Sequence, residues 1–154
     1  MTTYYADTSA LVKRYVVEPG SPWLRAQFDP ATAPLIMVSH LTLAEISSAF
    51  NRRVREGALT PDESARLRLA FRADCLTDYQ LLPISQAIID LSSDLLDQHP
   101  LRTLDAIQLA TGLTAQRLLM ARNLAAPIFV SADDRLLSVA AAVGLLTDNP
   151  LHHA

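Results

Sequence analysis

Short apolar runs of strand length alternate along this chain with longer stretches of helical periodicity, and that alternation restricts it to α/β architecture with a small, mainly parallel sheet. Strands are predicted at 3–7, 35–39, 80–83 and 128–131, with a weaker one at 145–147. Between them the spacing predicts seven helices, at about 9–17, 22–28, 41–56, 61–76, 85–99, 103–122 and 133–144. The fourth has a clear start: Thr60 and Glu63 are spaced for a reciprocal capping box, and Pro61 falls at the first helical position, where its missing N–H costs nothing. Gly57 closes the helix before it.

With 154 residues, folding as one domain buries roughly two-thirds of the unfolded surface, and the expectation is a single domain over 1–150 with a short tail at 151–154. Half the residues are hydrophobic and 19% are charged, which excludes disorder, while no apolar run approaches the roughly 18 residues of a membrane span. The start MTTYYAD has neither the basic nor the apolar part of a secretory signal, and the single Cys75 has no disulfide partner, so a cytoplasmic location is expected. A net charge of −3 argues against a general nucleic-acid coat; contact with nucleic acid has to be local.

Four acids stand out by position. Asp7 and Asp133 each follow a strand-like run, at the carboxyl edge where open α/β sheets place their sites. Both also suit a plain helix N-cap. Of the neighbours Asp133 and Asp134, Asp133 is taken as the site residue because it comes first after the strand. Glu45 shares a helical row with Leu41 and Ala49, and a carboxylate on a partly apolar stripe needs a partner or a metal. Asp105 lies in the first turn of its helix on the row of Leu109 and Leu113, where the helix dipole is an alternative reason for it. Four elements each delivering one acid, with no Lys or Arg assigned between them, suit a hard divalent cation, Mg²⁺ or Mn²⁺. Zinc-type ligation does not fit, because His40, His99, His152 and His153 show no suitable spacing with Cys75. Lys13-Arg14 and Arg52, Arg53 and Arg55 offer a basic rim; a solvated helix face with an Arg52–Glu56 pair is the ordinary alternative.

Asp7-Thr8-Ser9-Ala10-Leu11, Ala44-Glu45-Ile46, Leu101-Arg102-Thr103-Leu104-Asp105-Ala106 and Val130-Ser131-Ala132-Asp133 resemble, in order, the four acidic motifs of PIN domains. The similarity covers essentially the whole chain and is greatest to the VapC-like toxins of bacterial toxin–antitoxin pairs. It implies a three-layer α/β/α fold and a Mg²⁺-dependent endoribonuclease whose catalytic and metal-binding residues are Asp7, Glu45, Asp105 and Asp133. Ser131 matches the small hydroxyl residue that supports the last acid. The resemblance further implies products with a 5′-phosphate and a 3′-hydroxyl, an RNA substrate, an inhibiting antitoxin and a homodimer. The helices at 60–76 and 85–96 carry apolar residues suited either to such an interface or to the core. A catalytically inactive PIN-like module binding RNA or protein is the alternative. A phosphatase with an aspartyl-phosphate route is disfavoured, since its second acid, two residues after the first, is Ser9 here.

Overall fold

Side chains alternate across the first strand, β1 (Thr3–Ala6), and that alternation divides the interior in two. Tyr4 and Ala6 enter one core, with Ile36, Val38, Tyr79 and Val130 from neighbouring strands. Tyr5 enters the other, with Met37, Leu82 and Phe129. The remaining strands are β2 (Leu35–Ser39), β3 (Tyr79–Leu82), β4 (Ile128–Val130) and β5 (Leu146–Asp148). The computed structural model describes residues 1–153; the last residue of the expected tail, Ala154, lies outside them.

All strand pairings are parallel, in the order β3-β2-β1-β4-β5. Helices α1 (Thr8–Tyr15), α2 (Ser21–Gln27), α3 (His40–Arg55) and α4 (Pro61–Thr77) supply Leu11, Leu24, Phe50 and Phe71 to the first core. Helices α5 (Gln86–Gln98), α6 (Thr103–Met120) and α7 (Asp134–Ala142) supply Ile88, Leu109 and Leu136 to the second. The expected three-layer α/β/α arrangement is therefore present, and the sheet is wholly parallel. Helices on both faces explain why its strands read as nearly unbroken apolar runs.

The local signals act as expected. Thr60 Oγ1 accepts from the Glu63 N–H and the Glu63 side chain accepts from the Thr60 N–H, completing the capping box. Gly57 takes a φ of +77°, the left-handed turn that ends α3. Two short 3₁₀ turns, Pro30–Thr32 and Pro150–His153, had no sequence signal above ordinary turn chemistry. In the second, the His153 ring stacks on Trp23 at 4.3 Å. Among the described residues no helix is long and apolar enough to cross a membrane.

The topology fixes where a site can form. Strand order reverses at β1: β2 and β3 lie on one side of it, β4 and β5 on the other. The helices leaving β1 and β4 consequently diverge and leave a crevice at their carboxyl ends. Asp7 follows β1 and Asp133 follows β4, at that end of the sheet.

Candidate active site

Asp7 ends β1 and caps α1, its Oδ1 accepting from the Ala10 N–H at 3.2 Å. Ser9 Oγ donates to the same oxygen at 2.7 Å, and Ser131 Oγ donates to Oδ2 at 2.9 Å. Asp7 is 5% exposed, and all these donors are uncharged. Burial pushes its pKa up from 3.8 to about 6; the hydroxyl and N–H donors oppose the rise, and the nearby Glu45 charge adds to it.

Glu45 projects from the second turn of α3. Its Oε1 accepts from Thr8 Oγ1 at 2.9 Å and from Gln108 Nε2 at 2.7 Å. Asp105 occupies the first turn of α6. Its pKa is raised, first by burial and then by the charge of Asp133, with Arg102 acting in the opposite direction. Arg102 Nε lies 3.6 Å from Asp105 Oδ2, so the acidic rim carries a cation that the sequence reading did not assign. Asp133 caps α7, its Oδ1 accepting from the N–H groups of Arg135 and Leu136. Asp134 turns elsewhere, accepting from Asn149 Nδ2 at 2.8 Å and lying against His152. Ser131 touches both strand-end acids: it donates to Asp7 and accepts from the Asp133 N–H at 3.1 Å.

Glu45, Asp105 and Asp133 line one cleft of about 790 Å³, together with Thr8 and Ser9, and Asp7 sits beneath it behind Ser9. Among the described residues no three Asp, Glu, His or Cys groups form a ready-made metal cluster: three of the acids are spread around the cleft wall and Asp7 lies off it. The donor set nevertheless suits a hard cation. It is all oxygen, and among the described residues its most buried member, Asp7, has no cationic partner. Mg²⁺ retains several waters and takes only one or two carboxylates directly, which an open ring accommodates.

The basic residues divide. Lys13, Arg52 and Arg53 line the same cleft, but Glu18 accepts from Lys13 Nζ at 3.0 Å and pairs with Arg53 at 2.9 Å. Arg14 faces away, donating to Asp78 Oδ2 at 2.7 Å and to the Tyr79 hydroxyl at 2.9 Å. Its place on the rim is corrected: one residue along a helix turns the side chain by about 100°. Sequence reading also passed over Thr8, Thr42 and Gln108, whose polar atoms surround Glu45. The available signal was Gln108 itself, an amide within the apolar run Ala106 to Ala110.

Comparison with known proteins identifies the family and the fold. The family model for the PIN domain matches residues 4–142. "Ribonuclease VapC46" of Mycobacterium tuberculosis is 35% identical over 151 residues, covering 97% of this chain and 99% of the relative. "Ribonuclease VapC47" of the same species is 31% identical over 154 residues, covering 95% and 96%. Among solved structures, FitAcB from Neisseria gonorrhoeae superposes with a TM-score of 0.64 at 13% identity, covering 97% of this chain and 99% of that one. DNA-bound VapBC from Salmonella typhimurium gives 0.62 at 16% identity, with 97% and 99% covered. These last two likenesses concern the fold. With the matched model spanning nearly the whole sheet and its helices, the chain belongs to the PIN domain family.

Proposed function

We propose that this PIN domain is a Mg²⁺-dependent endoribonuclease acting as the toxin of a toxin–antitoxin pair. The observation that carries the reading is the set of three carboxylates lining the switch-point crevice, with a fourth, Asp7, buried beneath it and lacking a cationic partner among the described residues. The ribonuclease names of the two curated relatives support the same activity.

Asp7, Glu45, Asp105 and Asp133 would hold Mg²⁺ or Mn²⁺, directly or through water. The chemistry such an ion supplies is activation of a water for in-line attack on a phosphodiester and neutralisation of charge on the leaving oxygen, giving a 5′-phosphate and a 3′-hydroxyl. Ser9 and Ser131 hold the Asp7 carboxylate in one orientation, and Thr8 and Gln108 do the same for Glu45. Arg52, with Lys13 and Arg53 beside it, borders the cleft where the flanking phosphates of RNA would pass.

An antitoxin is the expected inhibitor, in keeping with a solved neighbour described as a toxin–antitoxin complex from Klebsiella pneumoniae. Its mode follows from electrostatics: an Arg or Lys placed in the acidic cleft offsets carboxylate repulsion as a metal ion does and competes with it. For a homodimer, Leu69 and Leu76 of α4 offer a surface, at 65% and 89% exposed, whereas Phe71 of the same helix is core. The cytoplasm, where RNA and antitoxin meet, is the location that suits this role.

The test is incubation of the purified protein with mixed cellular RNA in Mg²⁺ and in EDTA. Cleavage confined to the Mg²⁺ arm is expected. Undiminished cleavage in EDTA contradicts the reading.

A further inference from the structure

Gln108 is 2% exposed and Tyr5 is fully buried, yet the two connect the second core to a cleft carboxylate. Gln108 Nε2 lies 2.7 Å from Glu45 Oε1, and Gln108 Oε1 lies 2.7 Å from the Tyr5 hydroxyl. An ionised carboxylate only accepts, so the Gln108 atom facing Glu45 has to be the amide nitrogen. That leaves the amide oxygen toward Tyr5, whose hydroxyl must then donate. The orientation of the amide is thus set from both ends. Its nitrogen also reaches Thr42 Oγ1 at 3.0 Å, and Thr8 Oγ1 donates to the same Glu45 oxygen at 2.9 Å. Two donors from two helices therefore hold Glu45 Oε1, while Oε2 has no hydrogen-bond partner among the described residues.

We propose that Gln108 and Tyr5 are positioning residues, which fix the Glu45 rotamer so that Oε2 alone is presented to a divalent cation in the cleft. Neither residue lines the cleft, and the proposal rests on the metal-dependent reading above. Tyr5 acts through Gln108: without its hydroxyl the amide loses the partner that orients it. The ring itself stays in place, because it stacks on Phe129 with centroids 5.2 Å apart, a contact that phenylalanine retains. A purely structural role for the pair would affect melting and leave metal affinity alone. A positioning role affects metal affinity, since losing a partner that orients a metal ligand typically weakens binding about 10- to 100-fold.

Mn²⁺ binding by calorimetry, melting temperature and RNA cleavage are measured on the full chain for wild type, Tyr5→Phe, Gln108→Met and the double variant. Methionine keeps the volume and removes the donor. Gln108→Met is expected to bind Mn²⁺ about 10-fold more weakly, and Tyr5→Phe about 3-fold, with kcat lowered and KM for RNA unchanged. The double variant should match Gln108→Met alone, because both substitutions interrupt one path. In amide NMR without metal, the Gln108 side-chain protons should exchange slowly in wild type and quickly in Tyr5→Phe. Mn²⁺ affinities within twofold of wild type for both single variants overturn the proposal, as does full additivity in the double variant. If Gln108→Met does not fold, Tyr5→Phe decides by the same criterion. Wild type that neither binds Mn²⁺ nor cleaves RNA sinks the metal reading and this proposal with it. Slow wild-type exchange together with unaltered Mn²⁺ affinity sinks only the positioning role.

Discussion

Ser131 Oγ donates to Asp7 Oδ2 at 2.9 Å, so the hydroxyl after β4 fastens the carboxylate after β1 across the point where strand order reverses. The bond narrows the freedom of the most buried acid without neutralising it. What remains is a carboxylate whose ionisation is opposed by burial, partly offset by its hydrogen-bond donors, and which a bound cation would favour further.

That gives the metal-free protein a defined pH dependence. Asp7 titrates at about 6 when folded, against an ordinary 3.8. Below about 3 the group is protonated in both states and does not weaken the fold. As pH rises from about 3 to 7 the unfolded chain ionises first, and stability falls by about 3 kcal/mol in all, levelling near 7. Asp7→Asn keeps an N-cap side chain and should remove this step, leaving the variant more stable than wild type at pH 7 in EDTA and equal to it near pH 3. Urea denaturation at the two pH values checks the sign.

Asp105→Asn should stabilise the metal-free protein less. Its carboxyl is half-buried and repelled by Asp133, which favours the neutral side chain, but the substitution also gives up the contact with Arg102. An exposed pair of this kind contributes about 0–1 kcal/mol, so the net gain at pH 7 is under about 1 kcal/mol. Mg²⁺ should reverse the order, since wild type then gains binding free energy that the variant lacks. Melting temperatures in EDTA and in Mg²⁺ show whether the order inverts.

Glu18 restrains two cations of the cleft, Lys13 and Arg53. Glu18→Gln should destabilise the fold by about 2 kcal/mol, because the Lys13 side chain is only 7% exposed and loses its counter-charge. The same change frees positive charge along the cleft. Single-stranded RNA should therefore bind more tightly in EDTA, with a steeper dependence on salt. Fluorescence anisotropy across a salt series measures this, and unchanged binding would place these cations off the RNA path.

The fold was legible in the sequence because its signals are local. The capping box at Thr60 and Glu63 and the turn at Gly57 involve neighbouring residues, and burial of both sheet faces left apolar runs that only an α/β layout explains. The four acids were legible as positions, two after strands and two on helical rows. Their surroundings were not. Glu18 meets Arg53 across 35 residues of sequence and Gln108 meets Glu45 across 63, and no periodicity reports such contacts. The alternative pairing of Arg52 with Glu56 is not found among the described residues, where Arg52 lines the cleft without an ion-pair partner.

The most direct measurement is the rate of RNA cleavage against Mg²⁺ concentration for wild type and for Asp7→Asn, Glu45→Gln, Asp105→Asn and Asp133→Asn, each first shown to be folded. Saturable Mg²⁺ dependence in wild type, loss of cleavage in EDTA, and a fall on the order of 100-fold or more in each variant are expected. Cleavage by wild type that is indifferent to Mg²⁺, or by folded Asp7→Asn and Asp105→Asn at the wild-type rate, would contradict the metal-dependent reading.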